Sequence, residues 1–298
     1  MFYTVTFNPC IDYVVGVDGF TLGETNRSVY EEIQFGGKGI NVSYILRELG
    51  VESVALGFVA GFTGKALLKQ MSDDGIKNDF IELVSGNTRI NIKLKSGVET
   101  EINASGPMIP KAQINELFEK LKTLNSGDTL VLSGSVPKCL ADDIYGKIAE
   151  AVSLKGVRTV VDATGDLLKN TLKYKPFLIK PNLRELEQLS GRELKTVDDI
   201  KAAALELKEL GAQNVLVSMG ADGALLIDGD GKVFFEAAFG GKPKNTVGAG
   251  DSMLAGFMAG IEKGSEFALK LGLAAGGATA CSERLATKKD IFSLLNAD

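Results

Sequence analysis

Thr129-Leu130-Val131-Leu132-Ser133 is a short unbroken apolar run with polar or glycine borders, the pattern of a strand buried on both faces of a parallel sheet. Three more runs of this kind follow: Arg158-Thr159-Val160-Val161-Asp162, Phe177-Leu178-Ile179-Lys180 and Asn214-Val215-Leu216-Val217-Ser218. The segments between them read as helices. Asp198 to Leu210, for instance, sets Ile200, Ala203, Ala204 and Leu207 in one stripe, as an amphipathic helix does. From about residue 110 onward, strands and helices alternate, which predicts right-handed βαβ units on a mostly parallel sheet. Upstream, Met1-Phe2-Tyr3-Thr4-Val5-Thr6-Phe7-Asn8-Pro9 reads as a first strand. It has neither the basic start nor the long apolar stretch of a signal peptide.

Two stretches break the alternation, Ile11 to Gln34 and Arg89 to Ile102. In the second, Ile90, Ile92 and Leu94 lie opposite Asn91, Lys93 and Lys95. This period of two predicts half-exposed antiparallel strands. They are expected to form a small second sheet over one edge of the main body, a lid of approximately residues 11–34 and 89–102 within a single domain spanning 1–298.

Composition narrows the chemistry. Of the 298 residues, 45% are hydrophobic and 24% charged, the balance of a soluble globular protein, and no apolar run approaches the roughly 18 residues of a membrane span. A net charge of -5 argues against a nucleic-acid surface, which needs clustered Lys and Arg. Cys10, Cys139 and Cys281 are odd in number and widely spaced, so neither a disulfide framework nor a zinc site is expected, and a cytoplasmic setting is. The chain contains no histidine. That excludes Ser-His-Asp and Cys-His catalysis and every His-ligated metal. A general base must then be Asp, Glu, Lys, Tyr or Cys.

Two glycine-rich segments carry candidate chemistry. Phe35-Gly36-Gly37-Lys38-Gly39-Ile40-Asn41-Val42-Ser43 precedes the helical Ile45-Leu46-Arg47-Glu48-Leu49-Gly50. Its glycines would let backbone N–H groups approach an anion while Lys38 adds positive charge; a plain turn with a solvated lysine is the alternative. Asn245-Thr246-Val247-Gly248-Ala249-Gly250-Asp251-Ser252 leads into the apolar Met253-Leu254-Ala255-Gly256-Phe257. There Gly248, Ala249 and Gly250 can present N–H groups at a positive helix end, an anion hole for a transferring phosphate. Asp251, in the first helical turn, can accept a hydroxyl proton. A carboxylate that merely caps a helix would not need the glycine turn before it. The segment is not a Walker A loop, lacking Gly-Lys-Ser/Thr, and no early Gly-x-Gly-x-x-Gly marks a dinucleotide fold.

These two segments resemble the C-terminal and N-terminal signatures of the ribokinase-like carbohydrate kinases, the PfkB family, and further motifs match in order over nearly the whole chain. The resemblance implies a three-layer α/β/α fold with a mostly parallel central sheet and a small β lid. It implies a kinase with Asp251 as catalytic base and the Gly248-Ala249-Gly250 amides as anion hole. Asn8-Pro9 and Asp12 resemble the family's start, where the aspartate binds sugar hydroxyls. Lys180-Pro181-Asn182-Leu183-Arg184-Glu185-Leu186 resembles its Asn-x-x-Glu element, so Asn182 and Glu185 are expected to hold Mg²⁺ through water. Ser218-Met219-Gly220-Ala221-Asp222-Gly223-Ala224 resembles the nucleotide loop, and Gly276-Gly277-Ala278-Thr279 falls at the adenine pocket. Ser218, Gly220, Gly223, Gly276, Lys180 and Asn182 are accordingly the expected ATP contacts.

The branch is suggested by Gly23-Glu24-Thr25-Asn26-Arg27, by Gly36-Gly37-Lys38-Gly39-Ile40-Asn41, and by Thr88-Arg89-Ile90-Asn91-Ile92-Lys93 with Glu99-Thr100-Glu101-Ile102-Asn103. These are similar to family members acting on sugar phosphates, and a dianionic substrate needs cations. Arg27, Lys38 and Arg89 are the candidates, with Gly37, Asn41 and Ser133 beside the sugar. The expected reaction is ATP-dependent phosphorylation of fructose 1-phosphate at O6. Tagatose 6-phosphate as substrate, or a non-catalytic sugar-phosphate regulator on the same fold, are the alternatives. Resemblance also implies a homodimer through the lid.

Overall fold

The computed structural model describes residues 1–296. Its strands are β1 (Phe2–Thr6), β2 (Cys10–Gly16), β3 (Tyr30–Gly36), β4 (Ser53–Ala60), β5 (Ile81–Leu83), β6 (Arg89–Ser96), β7 (Val98–Ile102), β8 (Thr129–Ser133), β9 (Arg158–Asp162), β10 (Leu178–Ile179), β11 (Asn214–Ser218), β12 (Ala224–Ile227) and β13 (Val233–Glu236). The helices are α1 (Lys38–Glu48), α2 (Gly61–Asp73), α3 (Lys111–Leu121), α4 (Ile144–Ser153), α5 (Gly165–Leu172), α6 (Leu183–Ser190), α7 (Val197–Glu209), α8 (Ala249–Gly260), α9 (Ser265–Ala280) and α10 (Lys288–Leu295).

Nine strands form the main sheet in the order β13-β12-β11-β10-β9-β8-β1-β4-β5. All its pairings are parallel except those of β12 and β13 at one edge. The apolar runs explain why: successive residues face opposite layers. Leu130 and Leu132 pack under α3–α7, and Val131 between them packs under α1, α8 and α9. Val215 and Val217 are split from Leu216 in the same way. A sheet buried on both faces needs apolar residues at every position, which gives the three-layer α/β/α architecture. The run at Phe177 to Lys180 contributes a two-residue strand, because Pro176 and Pro181 bracket it, although Phe177 and Lys180 still donate to Thr159 and Val161.

One contact fixes the layer that carries the site. Helices α8 and α9 touch backbone to backbone: a Cβ on Gly256 would meet the Leu271 carbonyl oxygen at 2.6 Å and Gly272 Cα at 3.0 Å. Only glycine permits that approach.

The two irregular stretches form a four-stranded sheet, β3-β2-β6-β7. The expected antiparallel pairing holds for β2–β3 and β6–β7, but β2 and β6 run parallel. A parallel pair joins segments distant in sequence, which local periodicity does not report.

Candidate active site

The parallel strands end in a common edge, where Asp162 closes β9, Lys180 follows β10 and Ser218 closes β11. A cavity of about 750 Å³ opens there, between this edge, the N-terminus of α8 and the inner face of the lid. Open α/β sheets bind ligands at this position.

Gly248 caps α8 in the left-handed conformation, φ 79°, where a Cβ would be strained and would also approach Leu285 Cδ2 to 2.6 Å. Asp251 follows in the first turn and is 5% exposed. Its Oδ2 accepts from Asn41 Nδ2 at 2.8 Å, which joins the two glycine segments. The expected amide trio is modified by the local bonding. Ala249 N–H donates to the Thr246 carbonyl at 3.3 Å, whereas the N–H groups of Gly248, Gly250 and Asp251 have no partner among the described residues. Those three donors, at the positive end of a helix, can stabilise anionic oxygen.

Beside them lies a buried charge cluster. Asp162 Oδ1 is 3.3 Å from Lys38 Nζ and 3.4 Å from Lys180 Nζ. Lys180 is buried, and its ammonium nitrogen lies 3.3 Å from where a Cβ on Gly250 would sit. Burial pushes the Asp162 carboxyl upward, but Lys180 and then Lys38 outweigh it and hold the group below its ordinary value. Asp162 in turn raises Lys38. For Asp251, burial and then the Asp162 charge win over Lys38, Asn41 and Lys180, lifting it to about 6. It is therefore charged at neutral pH yet close enough to neutrality to accept a proton.

On the side expected to take the sugar, Asp12 Oδ1 accepts from Asn91 Nδ2 at 2.7 Å, and Arg89, Lys93 and Gly37 share the wall. The alternation expected in the lid is present with its apolar face turned outward: Asn91 and Lys93 are buried, while Ile90 and Ile92 are 43% and 38% exposed. Asn91 and Lys93 were not among the expected site residues. Their signal was available, since every second residue of a strand shares a face and Arg89 had already been placed.

On the side expected to take the nucleotide, Lys180, Asn182, Glu185, Ser218, Gly220 and Gly276 line the cavity. Asn182 and Glu185 also form the capping box of α6, with Oδ1 accepting from Glu185 N–H and Oε2 from Asn182 N–H, both at 2.8 Å. Both side chains line the cavity as oxygen donors, the chemistry that suits Mg²⁺ held through water. Three expected residues lie elsewhere. Arg27 is exposed in the loop between β2 and β3; Ser133 is buried at the end of β8 outside the wall; Gly223 makes the left-handed turn into β12. Gly39, expected in a phosphate turn, is inside α1, where a Cβ would stand 2.6 Å from Thr6 Oγ1. It lets the helix lie on β1.

Comparison with known proteins agrees with this architecture. The family described as "pfkB family carbohydrate kinase" matches residues 5–290. A 1-phosphofructokinase of Bacillus subtilis is 46% identical over 99% of this chain and 97% of that protein. A D-tagatose-1-phosphate kinase of Bacillus licheniformis is 38% identical over 96% and 94%. The solved structure of phosphofructokinase-2 from Escherichia coli in complex with fructose-6-phosphate superposes with a TM-score of 0.91 at 29% identity, covering 99% and 98%. The chain belongs to the pfkB family of carbohydrate kinases and is a phosphotransferase.

Proposed function

We propose that this kinase transfers the γ-phosphoryl group of ATP to the C6 hydroxyl of fructose 1-phosphate, giving fructose 1,6-bisphosphate. The observation that carries the reading is a carboxylate with a raised proton affinity, Asp251, set between open helix-end amides and a cavity wall bearing Lys38, Arg89 and Lys93. Such a wall suits a sugar that already carries phosphate. The printed names of both curated relatives put that phosphate on C1, and C6 then carries the one free primary hydroxyl.

In the reaction, Asp251 takes the C6 hydroxyl proton as the phosphoryl group moves. The Gly248 and Gly250 amides and the Lys180 ammonium stabilise charge on the transferring group, while Lys38 spans the sugar and the transfer point. Mg²⁺, when bound, would supply charge neutralisation at the nucleotide phosphates, and Asn182 and Glu185 would hold it through water. Phosphoryl transfer depends on positioning more than on covalent participation. Asp12, fixed by Asn91, orients sugar hydroxyls, and closure of the lid excludes water.

We read the chain as one kinase domain with the lid inserted, working as a homodimer through the lid's outer face. Register places Tyr13, Ile33, Ile92 and Ile102 in one row across it, and Ile33 and Ile102 are 56% and 60% exposed. An apolar row of this kind on a sheet face calls for a cover. A cytoplasmic location is supported by Cys10, Cys139 and Cys281 being free thiols. A coupled ADP-release assay with fructose 1-phosphate, tagatose 1-phosphate, tagatose 6-phosphate and fructose 6-phosphate tests the substrate. The highest kcat/KM is expected for fructose 1-phosphate; a preference for either 6-phosphate overturns the reading. Tagatose 1-phosphate is the second reading, favoured by the relative with that name. A silent regulator would have no use for Asp251.

A further inference from the structure

Lys93 sits in a lid strand, yet it is 7% exposed and its side chain lines the main cavity. Among the described residues its ammonium has one partner, Glu101 Oε1 at 2.6 Å, across the β6–β7 rung. Glu101 itself is 41% exposed. A buried cation needs a counter-charge, but this counter-charge can swing into water and recover its hydration when an incoming dianion replaces it. Arg89, four residues earlier on the same face, is tied differently. Its Nε donates to the Asn8 carbonyl at 3.2 Å and its Nη1 to that of Ala104 at 3.4 Å, so it clamps two loops together. Asn91, between them, donates to Asp12 and accepts from Ala104 N–H at 3.1 Å. The inner face of β6 therefore presents a fixed amide flanked by a tethered guanidinium and a releasable ammonium.

We propose that Lys93 is a specificity-determining residue that binds the phosphate of the sugar substrate, with Glu101 as its placeholder until that phosphate arrives. This rests on the reading of the substrate as a ketohexose phosphate. Phosphate enters opposite Lys93, the ammonium exchanges Glu101 for phosphate oxygens, and the freed carboxylate turns outward. An unphosphorylated sugar offers nothing to complete the exchange, so the pair also works as a filter.

Calorimetric titration of fructose 1-phosphate into the full-length protein, beside steady-state kinetics, tests this. Lys93→Met removes the charge and keeps most of the side chain; Glu101→Gln removes the placeholder and leaves the ammonium. Losing a charged hydrogen bond to the ligand is expected to weaken fructose 1-phosphate binding about tenfold or more. The sugar KM should rise in step, with ATP KM little changed, and Lys93→Arg should recover most of the affinity. Glu101→Gln should bind the sugar at least as tightly as the wild type. If Lys93→Met and Glu101→Gln weaken binding alike, the pair is a structural rung and the proposal falls. Wild-type affinity in Lys93→Met also overturns it, while turnover of fructose 1-phosphate leaves the functional reading standing. Should Lys93→Met fail to fold, weakened binding in Glu101→Gln overturns the proposal and retained binding supports it. A wild-type protein that binds no ketohexose phosphate overturns the functional reading, and this one with it.

Discussion

Replacing Asp251 by asparagine is expected to stabilise the protein while stopping turnover. Burial and the Asp162 charge lift the Asp251 carboxyl from 3.8 to about 6, which disfavours its charged form in the folded chain by about 3 kcal/mol. Because the folded value exceeds the unfolded one, the native protein binds the proton more tightly than the unfolded chain does. The penalty is complete above about pH 6, fades as pH falls through that value, and is gone below the unfolded value. An amide carries no such penalty, and its oxygen still accepts from Asn41 Nδ2. Asp251→Asn should therefore gain up to about 3 kcal/mol near pH 7.5 and about half of that near pH 5. For a chain of this length the larger figure is about 5 °C in Tm. Differential scanning calorimetry at the two pH values reads the gain directly. Turnover should drop by about 10²–10⁴-fold with the base removed. A melting point below wild type, or a gain of equal size at both pH values, would refute the electrostatic account, and substantial residual kinase activity would refute the base assignment.

In the wild type, kcat/KM should decline with unit slope as pH falls below about 6, following protonation of Asp251; a rate that stays level down to about pH 5 removes Asp251 as the titrating group. Gly248→Ala forces a Cβ into a left-handed φ and against Leu285, at a cost of about 1–2 kcal/mol for the backbone alone, so kcat should fall with the amides displaced. Urea melts with parallel kinetics check it, and unchanged values in both would mean that the turn tolerates a side chain. Ile33→Asp combined with Ile92→Asp should convert a dimer to monomers in light scattering, while a persistent dimer mass assigns the contact to another surface.

The main sheet was legible because its strands are apolar on both sides, a pattern that needs no knowledge of the neighbours. The N-terminus of α8 was legible too, since a glycine turn before a carboxylate has a local cause. What failed was set by contacts between distant segments. Gly39 was read as part of a phosphate turn, but its small size serves the approach of α1 to Thr6 on β1. The lid's period was visible, but periodicity alone does not say which face turns inward; only the placing of Arg89 beside the sugar carried Asn91 and Lys93 to the cavity face. Arg27 was chosen because Gly23-Glu24-Thr25-Asn26-Arg27 resembles a family segment and a dianionic substrate needs cations, but a lone arginine in a loop carries no direction. The cavity wall also uses Phe239 and Pro243, in an irregular segment where no periodicity exists to read.

The glycine seam between α8 and α9 has a consequence for how such an enzyme changes. With the Leu271 carbonyl and Gly272 this close to Gly256, any side chain at Gly256 would push α8 off α9 and displace the amides at its tip. The lid, by contrast, hangs on short connections such as Asn8-Pro9 and Gly37, and the function proposed above gives it the admission of sugar. On that reading, substitutions in those connections would act first on how the cleft fills and empties. A side chain inserted into the seam would act instead on the transfer step and on the Gly276 end of the cavity, which α9 carries. On the function proposed above, substrate preference would then change by editing the lid while the α8–α9 end is inherited unchanged.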